Sequence, residues 1–497
     1  MGKQYDRMLT IQQEVSDING ALALMGWDQE TYMPAKGAST RGRQLATLSG
    51  IAHERFTSTE MGSAIEEAGS EELTVDQQVN QRELAWTYSR SKRLPTALVK
   101  DLAETSSIAI QAWRDARENS DFPAFVPHVK KLLALQTQVA EAIGYAEEPY
   151  DALLEDYEPG TSTREIAETF EALRTPLVAL VDRIRESGVS PRTDFLERSY
   201  PIEDQRKFGV MVTERMGFDY EAGRLDISAH PFCTHTGVHD VRMTTRYTPT
   251  LPTQSLFGII HEAGHGLYEQ GQDPSFEGLP RAQAVSLGIH ESQSRMWENL
   301  VGRSRPFWNH FFPEIVKTFP EQLSDVSEEE FYAAINNVTP SLIRVEADEV
   351  TYNLHILLRF EIERGLFTGT FAVEDLPAVW NEKMQDYLGI APDDNREGVL
   401  QDIHWSYGSF GYFPTYSLGN LYASQFFAKA CADIPDLTDK ISSGNLLPLR
   451  EWLRTHIHDL GMTYRASDLV VQVTGEPLNA DYFVSYLNEK FGALYGL

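Results

Sequence analysis

"FGIIHEAGHGLYEQG" (257–271) sets two histidines four residues apart, with a glutamate directly after the first. On a helix, His261 and His265 would share one face with β-carbons about 5–6 Å apart, close enough to hold a single ion together. Glu262 is turned roughly 100° away from His261 and so misses the ion, yet it can reach a water beside it. That is the placement of the general base in a metal-dependent hydrolase. The flanks read as helix: Pro252 and Thr253 suit its start, Leu256, Ile259, Ile260 and Leu267 supply a buried side, and Gly271 suits its end. The alternative is an amphipathic helix that happens to carry two imidazoles, since this short pattern also arises by chance.

A hydrolytic metal site needs a third protein ligand and one open position. "GIHESQSRMWENL" (288–300) supplies Glu291, which stands 26 positions after His265 in a second helical pattern, beyond the Gly/Pro-containing turn "GQDPSFEGLP". Two antiparallel helices so joined would present its carboxylate to the two imidazoles. His290 is read as a packing or supporting residue that points elsewhere on that helix. Many zinc peptidases with a ligating glutamate carry aspartate four residues later to orient a histidine ligand, whereas position 295 here is arginine. The acceptor that fixes the imidazole tautomer must therefore come from elsewhere.

Composition narrows the remaining possibilities. At 497 residues the chain is large enough for one big domain with a deep cleft. Its longest apolar runs, such as "SLFGII" (255–260), fall short of a bilayer span, so no membrane role is expected. The first residues lack the apolar core of a signal peptide, and the two cysteines, Cys233 and Cys431, form no CxxC pair. A cytoplasmic protein without a disulfide framework is the expectation. A formal charge of −30 argues against nucleic acid and anionic lipid as partners.

Amphipathic stretches with helical spacing dominate the first 200 residues, notably 6–30, 121–145 and 162–187, the last opened by a Ser/Thr-x-x-Glu-type cap. Between 217 and 250, "GRLDISAHPF" and "DVRMTTRYTP" alternate with period two between Gly and Pro breaks and read as short strands. Helices resume from 252. The expected fold is mainly α: one large helical domain over 1–497 of the zincin-like kind, with a helical lobe over about 1–200, a catalytic part over about 201–497, a deep cleft and a small sheet beside the site.

Three further segments carry candidates. Arg344, in "SLIRVEADEVTYNLHILLRFEIE" (341–363), lies in a largely apolar helical pattern, where an inward arginine demands an anion. That anion is either Glu346 or Asp348, as a structural ion pair, or a substrate carboxylate bound bidentately. The loop "HWSYGSFGYFPTYSLGNLYA" (404–423) can set a phenol or imidazole against an oxyanion, with Tyr412 and His404 preferred over Tyr407 and Tyr416. His230, before Pro231, is expected to begin a loop at the cleft. His235 and His239 also stand four apart, but Gly and Thr between them suit loop or strand, so a structural role is expected.

Beyond "HEAGH", matching elements run through "WDQETYMP" (27–34), "DYEPG" (156–160), "HPF" (230–232), "DVRMTTRY" (240–247), "HESQSR" (290–295), "IRVEAD" (343–348), "GVLQDIHW" (398–405) and the terminal "LYGL". Together they make the chain resemble the metallocarboxypeptidases of the Taq type, peptidase family M32, over nearly its whole length. The resemblance implies a zinc ion (or cobalt) held by His261, His265 and Glu291, with Glu262 as general base. It also implies removal of single residues from peptide C-termini, Arg344 as the group that binds the terminal carboxylate, and a cytoplasmic homodimer. An endo-acting zinc oligopeptidase and a non-catalytic peptide-binding helical scaffold are the alternatives; the intact Glu262 argues against the scaffold.

Overall fold

The computed structural model describes residues 2–497. The three long amphipathic patterns form helices at Lys3–Thr31, Phe122–Ile143 and Thr163–Ser187. Phe122, Phe125, Val129, Leu132, Leu135, Val139 and Ile143 make one buried stripe at three- and four-residue steps, and the Asp121 side chain caps that helix by accepting from Ala124 N. Ser162 and Glu165 close a reciprocal capping box at the start of Thr163–Ser187.

Among the described residues the apolar interior falls into two clusters. A large one draws on residues from Leu98 to Tyr495, and a small one joins Tyr5, Met8, Ile11, Met61, Ala64, Ile65, Ala68 and Leu84. Three strands, β1 (Gly223–Ile227), β2 (Cys233–Gly237) and β3 (Asp240–Thr245), form a sheet in the order β1-β3-β2. Strand β1 runs parallel to β3 with Leu225 opposite Met243, and β2 runs antiparallel to β3 with Cys233 opposite the same methionine. Val241 and Met243 are buried, and β3 packs against the Pro252–Gln270 helix. The first helix is tied to this sheet by Trp27, whose ring lies beneath both Arg224 (4.9 Å) and Arg242 (4.4 Å), and by Tyr32, whose hydroxyl donates to Asp226 Oδ1 at 2.6 Å.

One expectation needs correction. Residues 341–363 are not a single helix: Arg344–Glu346 is an isolated 3-10 turn, and the helix begins only at Tyr352. Asp348 is the physical reason. Its carboxylate accepts from Val350 N (2.9 Å) and Thr351 N (3.0 Å), binding amides that a continuous helix would have bonded to backbone carbonyls. Arg344 is therefore carried by a loop.

Candidate metal centre and cleft

The Pro252–Gln270 helix is buried on almost every side, and its second half is closed over by Ala263, Gly264, Gly266, Leu267, Tyr268 and Glu269. From Ser255 through Glu269 only Gly258, His261 and His265 stay partly exposed, at steps of three and four, and they form the one open stripe of this stretch. Pro252 starts the helix and Gly271 caps it, as the flanks require.

Two glycines set how near the other elements come. A β-carbon on Gly264 would meet Ser294 Cα at 2.6 Å and Gln293 O at 2.7 Å, so the Leu287–Arg295 helix presses backbone to backbone on the motif helix. One on Gly419, in the Pro414–Asp433 helix, would meet Glu291 Cγ at 2.6 Å and Cβ at 2.7 Å. Glu291 is thus held between two helices, with no room for its side chain to swing back.

Glu291 Oε2 lies 3.4 Å from His265 Nε2 and 3.7 Å from His261 Nε2, and the three ligand atoms fall within 4.8 Å of one another. Ligands about 2.0–2.1 Å from a tetrahedrally bound ion stand roughly 3.3 Å apart, so the donor set fits one metal ion. The other edge of each group is already engaged. His261 Nδ1 bonds Glu298 Oε2 at 2.9 Å, His265 Nδ1 bonds His290 Nδ1 at 2.5 Å, and His290 Nε2 bonds Glu269 Oε1 at 2.7 Å. With Nδ1 of each ligand histidine serving as donor, both Nε2 atoms are left free for a metal. Arg295 Nε donates to Glu291 Oε1 at 2.7 Å, leaving Oε2 toward the imidazoles, with Ser294 Oγ 3.2 Å from it.

The acceptor required for His261 is therefore Glu298, seven residues after Glu291, where the helix widens into a π turn at Met296–Gly302. His290 does not point elsewhere; it stacks against His265 with ring centroids 4.4 Å apart and extends the hydrogen-bonded chain to Glu269. Glu262 is buried at 6% exposure. Burial pushes its carboxyl up to about 7; the Glu291 carboxylate adds to this and His261 opposes it.

Arg344 is itself buried and donates to Asp402 Oδ1 through Nε (3.0 Å) and Nη2 (2.9 Å) and to the Tyr352 hydroxyl through Nη1 (3.2 Å). Its anionic partner is thus Asp402 rather than Glu346 or Asp348. His404 opens a short helix, packs at a 45° tilt against Phe413 with ring centroids 4.5 Å apart and lies 3.3 Å from the Tyr416 hydroxyl; burial holds it neutral, down to about 4. Tyr412 and Tyr416 pack edge to face at 5.2 Å and stay partly exposed in a buried segment, and burial and then the Glu291 carboxylate raise the Tyr412 phenol. Tyr407 is half exposed, its carbonyl accepting from Ser106 Oγ, and it does not join this cluster. His230 is exposed in the loop before β2, its carbonyl accepting from Ser228 Oγ. His235 lies on β2, 3.4 Å from Glu269, and His239 in the following turn, so they face no common ion.

Two buried carboxyl groups outside the sequence reading brace these parts. Glu158 accepts from Gly288 N (3.0 Å) and the Tyr422 hydroxyl (2.9 Å), which fixes the start of the Glu291 helix; burial raises it to about 7. Glu363 accepts from Trp405 Nε1 (2.8 Å), Gly411 N (3.0 Å) and the Tyr150 hydroxyl (2.6 Å), which holds the loop carrying Tyr412; burial raises it to about 7 as well.

Comparison with known proteins adds an independent line. A model of the Carboxypeptidase Taq (M32) metallopeptidase family matches residues 7–491. Thermostable carboxypeptidase 1 of Thermus thermophilus is 46% identical over 99% of both chains. The crystal structure of an M32 carboxypeptidase from Deinococcus radiodurans superposes with a TM-score of 0.98 at 40% identity over 100% of both chains, and that of a Pyrococcus furiosus carboxypeptidase with 0.95 at 39% over 99% of both.

Proposed function

The chain belongs to the M32 metallocarboxypeptidases, and from that premise we propose that His261 Nε2, His265 Nε2 and Glu291 Oε2 hold a zinc ion in a hydrolase that trims peptides one residue at a time from the C-terminus. The observation that carries this reading is two free Nε2 atoms and one carboxylate oxygen within 4.8 Å of one another, with the opposite edge of each group already hydrogen-bonded. Cobalt would suit the same N₂O donor set. The bound ion supplies Lewis acidity, which acidifies water and polarises a peptide carbonyl.

The residues divide the remaining tasks. Glu262, one step round the helix from His261 and buried, accepts a proton at its carboxylate from the attacking water and passes it to the departing amine. Tyr412 donates its phenolic proton as a hydrogen bond to the scissile carbonyl oxygen as negative charge develops there, with His404 beside it. Arg344, oriented by Asp402, binds the terminal carboxylate of the peptide, and His230 lines the way in from the sheet side. We read 1–497 as one peptidase domain working as a cytoplasmic homodimer; the family resemblance and the two unpaired cysteines support this.

The test compares one peptide as free acid and as C-terminal amide, with metal-loaded protein and product masses followed over time. Stepwise loss from the free acid and a rate at least about 30-fold lower on the amide are expected. Internal fragments, or equal rates on acid and amide, refute the proposal.

A further inference from the structure

Asp402 bridges two arginines. Its Oδ1 takes two donors from Arg344, and its Oδ2 accepts from Arg359 Nε at 2.7 Å, with Arg359 Nη2 in ion-pair contact at 2.6 Å but not hydrogen-bonded. Arg359 has no exposed surface. It sits in the Tyr352–Thr368 helix, donates through Nη1 to His355 O at 2.7 Å, and is enclosed by the rings of Trp380 (4.6 Å) and Phe413 (5.5 Å). One carboxylate thus faces two guanidinium groups, with side-chain exposures of 7% for Arg344, 11% for Asp402 and 0% for Arg359.

The other titratable groups packed around the trio do not restore balance. Burial keeps His355 and His404 neutral, with the two arginines adding to the effect. Glu363, one turn along the helix from Arg359, bonds Tyr150, Trp405 and Gly411 instead, and its carboxyl titrates only near 7. Below that pH the buried trio carries one uncompensated positive charge. Burying a charge without a partner is costly, and an entering carboxylate would relieve that cost. Without Arg359, Asp402 would neutralise Arg344, and an incoming carboxylate would meet a pocket with no net attraction.

We propose that Arg359 is a positioning residue that determines preference for a free C-terminus: by sharing Asp402, it leaves Arg344 with positive charge for the carboxylate of the substrate, although Arg359 itself never touches the peptide. This rests on the assignment of Arg344 as the carboxylate-binding group.

The test reads the ratio of kcat/KM for one peptide as free acid and as amide, at pH 6.5, in metal-loaded protein of checked stoichiometry. Arg359→Met should lower the ratio roughly 20- to 100-fold, the influence of a unit charge about 6–10 Å away in partly desolvated protein. The fall should appear mainly in KM. Arg359→Lys, which keeps the charge, should retain the ratio within about threefold. The decisive variant is Arg359→Met/Asp402→Asn, which restores a net charge of plus one through Arg344 alone and should recover most of the ratio. A purely structural role for Arg359 predicts a further loss in that double variant, and such a loss overturns the proposal. Should Arg359→Met fail to fold, Asp402→Asn alone decides, since the charge argument requires its ratio to hold or rise and a fall refutes it. An Arg344→Ala variant with an unchanged ratio would instead refute the assignment of Arg344. A collapsed ratio there alongside a normal one in Arg359→Met would refute only the role of Arg359.

Discussion

Gly264→Ala tests how closely the metal centre depends on the approach of two helices. In an open helix interior this substitution stabilises by about 1 kcal/mol, because alanine is the better helix former. At position 264 the added carbon would stand 2.6 Å from Ser294 Cα, 2.7 Å from Gln293 O and 2.9 Å from Ser294 N, all backbone atoms that no rotamer change can move. Ordinary contact needs about 3.5–4.0 Å, so the Leu287–Arg295 helix must retreat by close to 1 Å, taking Glu291 with it. Overpacking of this kind costs about 1–3 kcal/mol, and metal sites tolerate ligand displacements of only about 0.2 Å. Gly264→Ala should therefore lower the melting temperature of the metal-free protein and weaken metal affinity at least ~10- to 100-fold, as read by competition with a chromophoric chelator. Gly258→Ala is the internal control. It lies in the same helix, where a β-carbon would meet nothing nearer than Thr245 Oγ1 at 3.8 Å, so it should raise the melting temperature. If Gly264→Ala behaved like Gly258→Ala, with raised stability and unaltered affinity, the helix-spacing argument would fail.

Other outcomes follow from the same geometry. Glu262→Gln should keep the metal while losing on the order of 10²–10⁴ in turnover, because it removes the base and no ligand; loss of the metal would reverse that assignment. Glu291→Ala should abolish stoichiometric metal after dialysis against a mild chelator yet leave far-ultraviolet circular dichroism nearly unchanged, since the large apolar cluster does not depend on the ion. Glu158→Gln should show a pH signature in metal-free protein. Burial holds its carboxyl near 7 in the fold against an ordinary value of 4.5, so the native state keeps a proton that the unfolded chain releases, and stability falls as pH rises through that window. Relative to the parent, the Gln variant should gain stability between pH 5 and pH 8, by up to about 3 kcal/mol, and a pH-independent difference measured by denaturant titration would contradict this.

The candidate donor group was legible because helical spacing is local: His261 and His265 need only one helix, and Glu291, which the fold brings beside them, stands out once a third donor is sought. Strands β1 and β3 were readable for the same reason, from period-two alternation between breaks, whereas β2 falls in a stretch that its Gly and Thr left open as loop or strand. What stayed hidden depends on tertiary approach. Glu298 occupies the seventh position after Glu291, a spacing any helix offers, and only the packing of the π turn against His261 gives it a role. Asp402 lies 58 positions from Arg344, so local reading offered Glu346 and Asp348 as partners instead. The helix assumed through 341–351 failed because apolar periodicity does not register a carboxylate that bonds backbone amides ahead of it. Arg359 stands in the same apolar stretch as Arg344 and was passed over, since only the packing of Trp380, Phe413 and Asp402 around it shows that it faces inward.

The small apolar cluster of Tyr5, Met8, Ile11, Met61, Ala64, Ile65, Ala68 and Leu84 gives the first ninety or so residues a core of their own, and their ties to the rest are largely polar. Tyr32 bonds Asp226, Arg281 pairs with Asp76 and donates its backbone amide to Asn80, and Trp27 lies under two arginines. A seam made this way differs from an apolar one in how it opens. Its charged contacts weaken with ionic strength. The N-terminal helices should therefore exchange their amide hydrogens ahead of those in the large core, and faster in high salt, as hydrogen-exchange mass spectrometry would read.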